Sequence, residues 1–250
     1  MIDTKFKEIG GRVVVATEQR ADLVDVRTDR KGEHFEVRLA KGSRAEVLDC
    51  QGADRHLLLL VRREDGMSRF LFGHDERHLF VAAIPETARV TTVAQAHEAL
   101  KPIDVRSRQV LVRSKLLRKR RNAAFVRQGE WFFVATPDGF DPDARLVLRN
   151  EPLTRGAGSK PHMAELCYRE GVETVYVSRG RVASEAEFHQ IPVADRRREQ
   201  WRVMVRNAAV YVRGRVRHAD HKTISLSTWH RVFMNTESQA AAMRHVAFLD

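Results

Sequence analysis

The sequence predicts a strand-rich α+β protein. A small antiparallel sheet or barrel over residues 1–104 precedes a second, mainly antiparallel α+β domain over 105–250. Three observations carry that prediction. Short β-branched or alternating runs fill the first 85 residues, with glycines between several of them. At Thr91–Thr92 the apolar period changes to that of a helix. After residue 128, alternation of apolar and polar residues returns.

In the first part, Arg12–Ala16 is β-branched and apolar, and His34–Ala40 alternates with Phe35, Val37 and Leu39 on one face. Arg44–Cys50, His56–Arg63, Ser68–Gly73 and His78–Ile84 read as further strands. Thr91-Thr92 caps a helix with Val93, Ala96 and Leu100 on its apolar side, and Pro102 stops it. Residues 103–128 carry nine arginines and lysines against Asp104 alone, and read as an amphipathic helix or a linker at the domain boundary.

In the second part, Glu130–Ala135 and Ala144–Arg149 flank an Asp/Pro/Gly-rich turn. Pro161 reads as a helix start, with a helix over Met163–Arg169 closed by Gly171. Glu173–Ser178 is a strand, and Ser184–His189 a helical turn before Pro192. Trp201–Val205, Val210–His218, Lys222–Leu226 and Trp229–Met234 form a meander, and an Ala-rich helix is expected over 237–246.

Composition narrows the function classes. With 43% hydrophobic and 31% charged residues, the composition suggests neither disorder nor a membrane protein. Its apolar runs, such as Leu57–Val61, fall far short of the roughly 20 residues a spanning helix needs. The first residues lack an apolar leader, and Cys50 and Cys167 fit no metal or disulfide spacing. A cytoplasmic protein without a membrane role is expected.

Charge is distributed unevenly. Residues 1–100 hold 16 Lys and Arg against 17 Asp and Glu, whereas residues 101–250 hold 28 against 16. A one-sided excess of this size implies an anionic partner, with DNA or RNA first among them. The bland alternative is an arginine-rich but merely well-hydrated protein.

Three constellations refine this. In Val210–Arg217, alternation puts Tyr211, Arg213, Arg215 and Arg217 on one face and Val210, Val212 and Val216 on the other. Alternate residues on a strand are about 7 Å apart, close to phosphate spacing on an extended backbone. Tyr211 could stack a base. A solvated sheet face accounts for the same pattern. Second, Arg155, Gly156, Gly158, Ser159 and Lys160 precede the expected helix and could cradle an oxyanion at its N-terminus, although the spacing matches neither a P-loop nor a dinucleotide fingerprint. A plain connecting loop is the alternative.

The third is histidine. His218, His221 and His230 are candidate ligands for a divalent metal, and His162, Glu165, Asp220 and His221 are candidate catalytic groups of a metal-assisted phosphodiester hydrolase. Asp220-His221 followed by Asn235 is similar to the residue order of an HNH nuclease, without that family's cysteine knuckles or the proline after Asp-His. Ordinary turn chemistry is the competing explanation. His74-Asp75-Glu76-Arg77-His78 is a similar polar cluster, read as a strand-to-strand turn.

Three functions follow in order of support. The first is a nucleic-acid-binding protein that contacts the phosphate backbone through its basic C-terminal domain. The second is the metal-dependent hydrolase. The third is an interaction scaffold that docks a protein partner through residues 1–100, which would show as an exposed apolar patch over residues 56–84.

Overall fold

A computed structural model describes residues 2–18, 22–113, 116, 117, 119–155, 160–178 and 181–239. The expected helix over 237–246 lies mostly outside these residues. The chain is strand-rich α+β, and no helix is long and apolar enough to cross a membrane. It divides into two units. One comprises residues 1–132, 219–222 and 233–250, and the other 133–218 and 223–232.

The first unit opens with α1 (Ile2–Glu8), then β1 (Val13–Glu18), β2 (Leu23–Asp29), β3 (Gly32–Ala40), β4 (Arg44–Gln51), β5 (His56–Arg62), β6 (Met67–Asp75) and β7 (His78–Ile84). Strands β4 to β7 form an antiparallel meander in chain order. The other sheet is mixed, which corrects the expectation of an antiparallel one. Strand β3 is central, β2 pairs it antiparallel, and β1 pairs its other edge in parallel. Strand β2 shows the signal that the sequence reading passed over: Val24 and Val26 pack inward while Asp25 and Arg27 form an ion pair beside them.

Both sheets close on one core. Phe6 of α1, Phe35 of β3 and Phe72 of β6 meet with ring centroids 4.9–5.3 Å apart, at mostly edge-on angles that favour aromatic pairs. Strand β5 explains its run of five apolar residues. Leu57, Leu59 and Val61 enter this core, while Leu58 joins Leu71, Ala82 and Ile84 under the next helix. That helix, α2 (Val93–Ala99), is held by a capping box between Thr92 and Gln95 and buries Val93, Ala96 and Leu100, as its period predicts. Within residues 56–84 the described large hydrophobics are buried or half-buried except for Met67, so the apolar patch that a scaffold would present is absent there.

Two histidines sit at the end of the meander. Burial pushes His56 below its usual 6.5, with Arg127 and His74 adding to that and Asp54 opposing it. Burial also lowers His74, aided by Arg55 and opposed by Ile9 and Glu33. The unfolded chain takes up these protons near pH 6.5, while the folded chain does so only at lower pH. Stability present above pH 6.5 is therefore lost as pH falls below it, and levels off once the folded rings protonate. Thermal melts at falling pH should show a declining midpoint above the carboxylate range, with a shallower decline in His56→Gln.

After α2 come α3 (Ile103–Arg108), β8 (Val126–Gln128) and β9 (Trp131–Ala135). In the second unit β10 (Leu148–Leu153), β11 (His162–Ser178), β12 (Arg181–Ser184), α4 (Glu185–Gln190), α5 (Val193–Arg198), β13 (Arg202–Arg217) and β14 (Ile224–Met234) follow. The sheet order runs β10-β11-β13-β14-β9, with β12 on the far end of β11. The expected helix over Met163–Arg169 is instead the first half of β11. Its backbone pairs β10 on one side and β13 on the other, which outweighs the helical preference of Ala164, Glu165 and Leu166. The short helix after Ser184 does form, with Ser184 and Glu187 closing a capping box.

Candidate functional site

Strand β13 sorts its side chains as alternation predicts. Val212 and Val216 are fully buried, whereas Arg213, Arg215 and Arg217 are exposed. The register shifts near Gly214, whose φ of +85° lies in the left-handed region that favours glycine. A Cβ there would also stand 2.8 Å from Glu165 Oε2. The bulge leaves Arg213 and Arg215 on the one face that alternation gives them. Glu165 braces it, accepting from the backbone N–H of Arg215 at 2.8 Å and from its Nε at 3.2 Å.

Neighbouring strands extend the same face. Arg149 of β10 and Arg213 are both register partners of Leu166, and Tyr168 and Arg231 both pair Tyr211. Five arginines and two tyrosines therefore share one side of the sheet, and Ala164, Cys167, Val212 and Val216 fill the other. Phe140 stacks on Tyr211 with centroids 4.4 Å apart and lies 6.3 Å from Tyr168. Arg213 lies over the Trp229 ring at 5.4 Å. Burial, then a hydrogen bond to Glu170, pushes the Tyr211 phenol up.

Internal carboxylates neutralise only part of this charge. Arg215 pairs with Glu165, but its side chain is 66% exposed. An ion pair so open to water is worth about 0–1 kcal/mol, too little to keep the guanidinium from a phosphate. Arg217 donates to the neutral amide of Asn150 at 2.9 Å.

The expected cradle loses its helix, because Pro161 leads into β11 rather than α-structure. Gly156, Gly158 and Ser159 lie outside the described residues. Arg155 and Lys160 flank that stretch, and the Lys160 carbonyl is 3.2 Å from His218 Nε2.

His162 is buried at the start of β11, and its ring stacks on that of His218 with centroids 4.1 Å apart. His221 follows in the turn after β13, in the short stretch 219–222 that belongs to the first unit. His230 points to the buried face of the sheet, with Nδ1 2.8 Å from the Thr228 carbonyl. Glu165 lies on the opposite face of β11 from His162 and is engaged with Arg215. Asp220 is 3.7 Å from His78, His221 is 3.6 Å from Asp75, and Asn235 donates to Glu237. Burial pushes the Cys167 thiol up to about 11, with Arg169 opposing and Glu151 adding, so it is inert as a nucleophile at neutral pH.

Comparison with family models, curated proteins and solved structures gives no match. Sequence reasoning missed Arg149, Tyr168 and Arg231. Each lies on a different strand from Arg213, and only the pairing register brings them onto its face.

Proposed function

We propose that the second unit binds nucleic acid along the outward face of β10, β11, β13 and β14, chiefly through phosphates. The observation that carries this reading is the shared face of Arg149, Arg213, Arg215, Arg217 and Arg231 beside Tyr168 and Tyr211, backed by a buried apolar side. Guanidinium groups on a rigid sheet neutralise a regularly spaced backbone. Aromatic rings among them offer stacking surfaces that any base can use, which favours single strands over duplexes. The binding reading takes precedence over hydrolysis because Glu165, the carboxylate expected to serve as acid or base, supports the arginine face instead.

The test is fluorescence anisotropy of the full chain with a labelled single-stranded oligonucleotide and its duplex over a range of salt. Log affinity is expected to fall linearly with log salt, with a slope of about −0.7 per phosphate contacted on single strands. Affinity independent of salt would overturn the proposal.

A further inference from the structure

The first unit contains a cavity of ≈ 210 Å³ that no sequence motif announces. Its walls come from the turn before β5, the end of β6, α2 and the segment between α3 and β9. Lys101, Lys119, Arg120 and Arg127 line it, and Asp54 is the carboxylate among the lining residues. His56, His74 and His97 complete the polar wall. In a unit whose first hundred residues are close to neutral, this is a local concentration of positive charge.

Two of these cations are answered by the protein itself. Lys101 reaches Glu98, the Gln109 side chain and the Leu117 carbonyl. Arg120 is held by Asp75 and Glu76. Arg127 is different. Its Nε is shut away from solvent and makes no hydrogen bond among the described residues; burial and then the like charge of Arg120 disfavour its cation, and Asp75 and Glu130 oppose them only at longer range. Shutting a guanidinium nitrogen away without a partner is costly unless something compensates it. Lys119 stands exposed on the same wall, and no carboxylate lies within ion-pair distance of it among the described residues.

The histidine wall is prearranged. The His56 and His97 rings meet edge-on with centroids 4.7 Å apart. His56 covers Gly73 so closely that a Cβ there would stand 2.4 Å from its ring. At ≈ 210 Å³ the space is large enough for several waters. That accommodates a phosphate group and part of what carries it, with Phe125 and Phe132 as an apolar wall for the remainder.

We infer that this cavity is a binding site for a phosphate dianion, either free or as the terminal group of a small phosphomonoester. Arg127 and Lys119 supply the permanent charge, with the His56 ring beside them. The site lies in a different unit from the arginine face and rests on different residues, so it stands or falls separately.

Isothermal titration of the full chain with inorganic phosphate, and separately with AMP, at constant ionic strength tests the assignment. Saturable binding of at least one is expected. Tighter binding of phosphate identifies the free ion as the ligand, and tighter binding of AMP identifies the ester. Lys119→Glu, on the exposed rim, is expected to weaken binding at least about tenfold, as losing a charge-assisted contact and placing a like charge should. Arg127→Gln should abolish binding, and if that variant fails to fold, Lys119→Glu decides alone. Absence of saturable heat with both probes, or affinity unchanged in Lys119→Glu, overturns the inference.

Discussion

Alanine at Arg213, Arg215 and Arg217 together is expected to flatten the salt dependence of polynucleotide binding by about 2 units of slope on single strands and nearly 3 on duplexes. At moderate salt that amounts to a loss of roughly 100-fold in affinity on every sequence tested, because phosphate contacts carry no base information. Two features sharpen the expectation. Removing Arg215 releases the Glu165 carboxylate into the same face, adding repulsion to the lost attraction. The three side chains are exposed, so folding stability should move by no more than about 0.5 kcal/mol per position. A melting curve close to that of the parent chain, with binding lost, is the expected pair of results. Unchanged slope and affinity would remove this face from consideration.

Phe72→Ala is expected to destabilise the first unit by about 3–5 kcal/mol, the range for deleting a buried aromatic ring. Phe72 is fully buried and makes near-perpendicular contacts with both Phe6 and Phe35. Its ring joins α1, the mixed sheet and the meander, so the hole left behind cannot be closed by a single element moving inward. Chemical denaturation should show a lower midpoint with little change in slope. Limited proteolysis should find α1 cut earlier than in the parent chain. A loss under about 1 kcal/mol would mean that the ring trio is not the centre of this core.

How much of this was legible in the sequence depended on how local each signal is. The capping box at Thr92 and Gln95, the Val and Arg alternation of β13, and most strands of the meander rest on neighbours a few residues apart, and these were readable. The first half of β11 was not. Pro161, Ala164, Glu165 and Leu166 have helix-compatible preferences, and the partners that hold Ala164 and Leu166 extended lie 13 and 17 residues upstream in β10 and about 50 downstream in β13. The parallel pairing of β1 with β3 was hidden for the same reason. The phosphate cavity is the extreme case. Its lining residues are spread from Asp54 to Phe132 and form no spacing that a motif could capture. The composition argument even pointed away from it, because charge averaged over a hundred residues conceals a cluster that exists only in three dimensions.

Strand β5 has a consequence for how this chain can change over generations. With Leu57, Leu59 and Val61 committed to one core and Leu58 to the other, it has no outward side on which a polar replacement could be absorbed. Drift there is confined to exchanging one branched hydrocarbon for another of similar volume. The surface arginines, by contrast, are free to wander as ligands change. Any distant kin of this chain should therefore be recognisable first by that greasy pentapeptide and only afterwards by its charges.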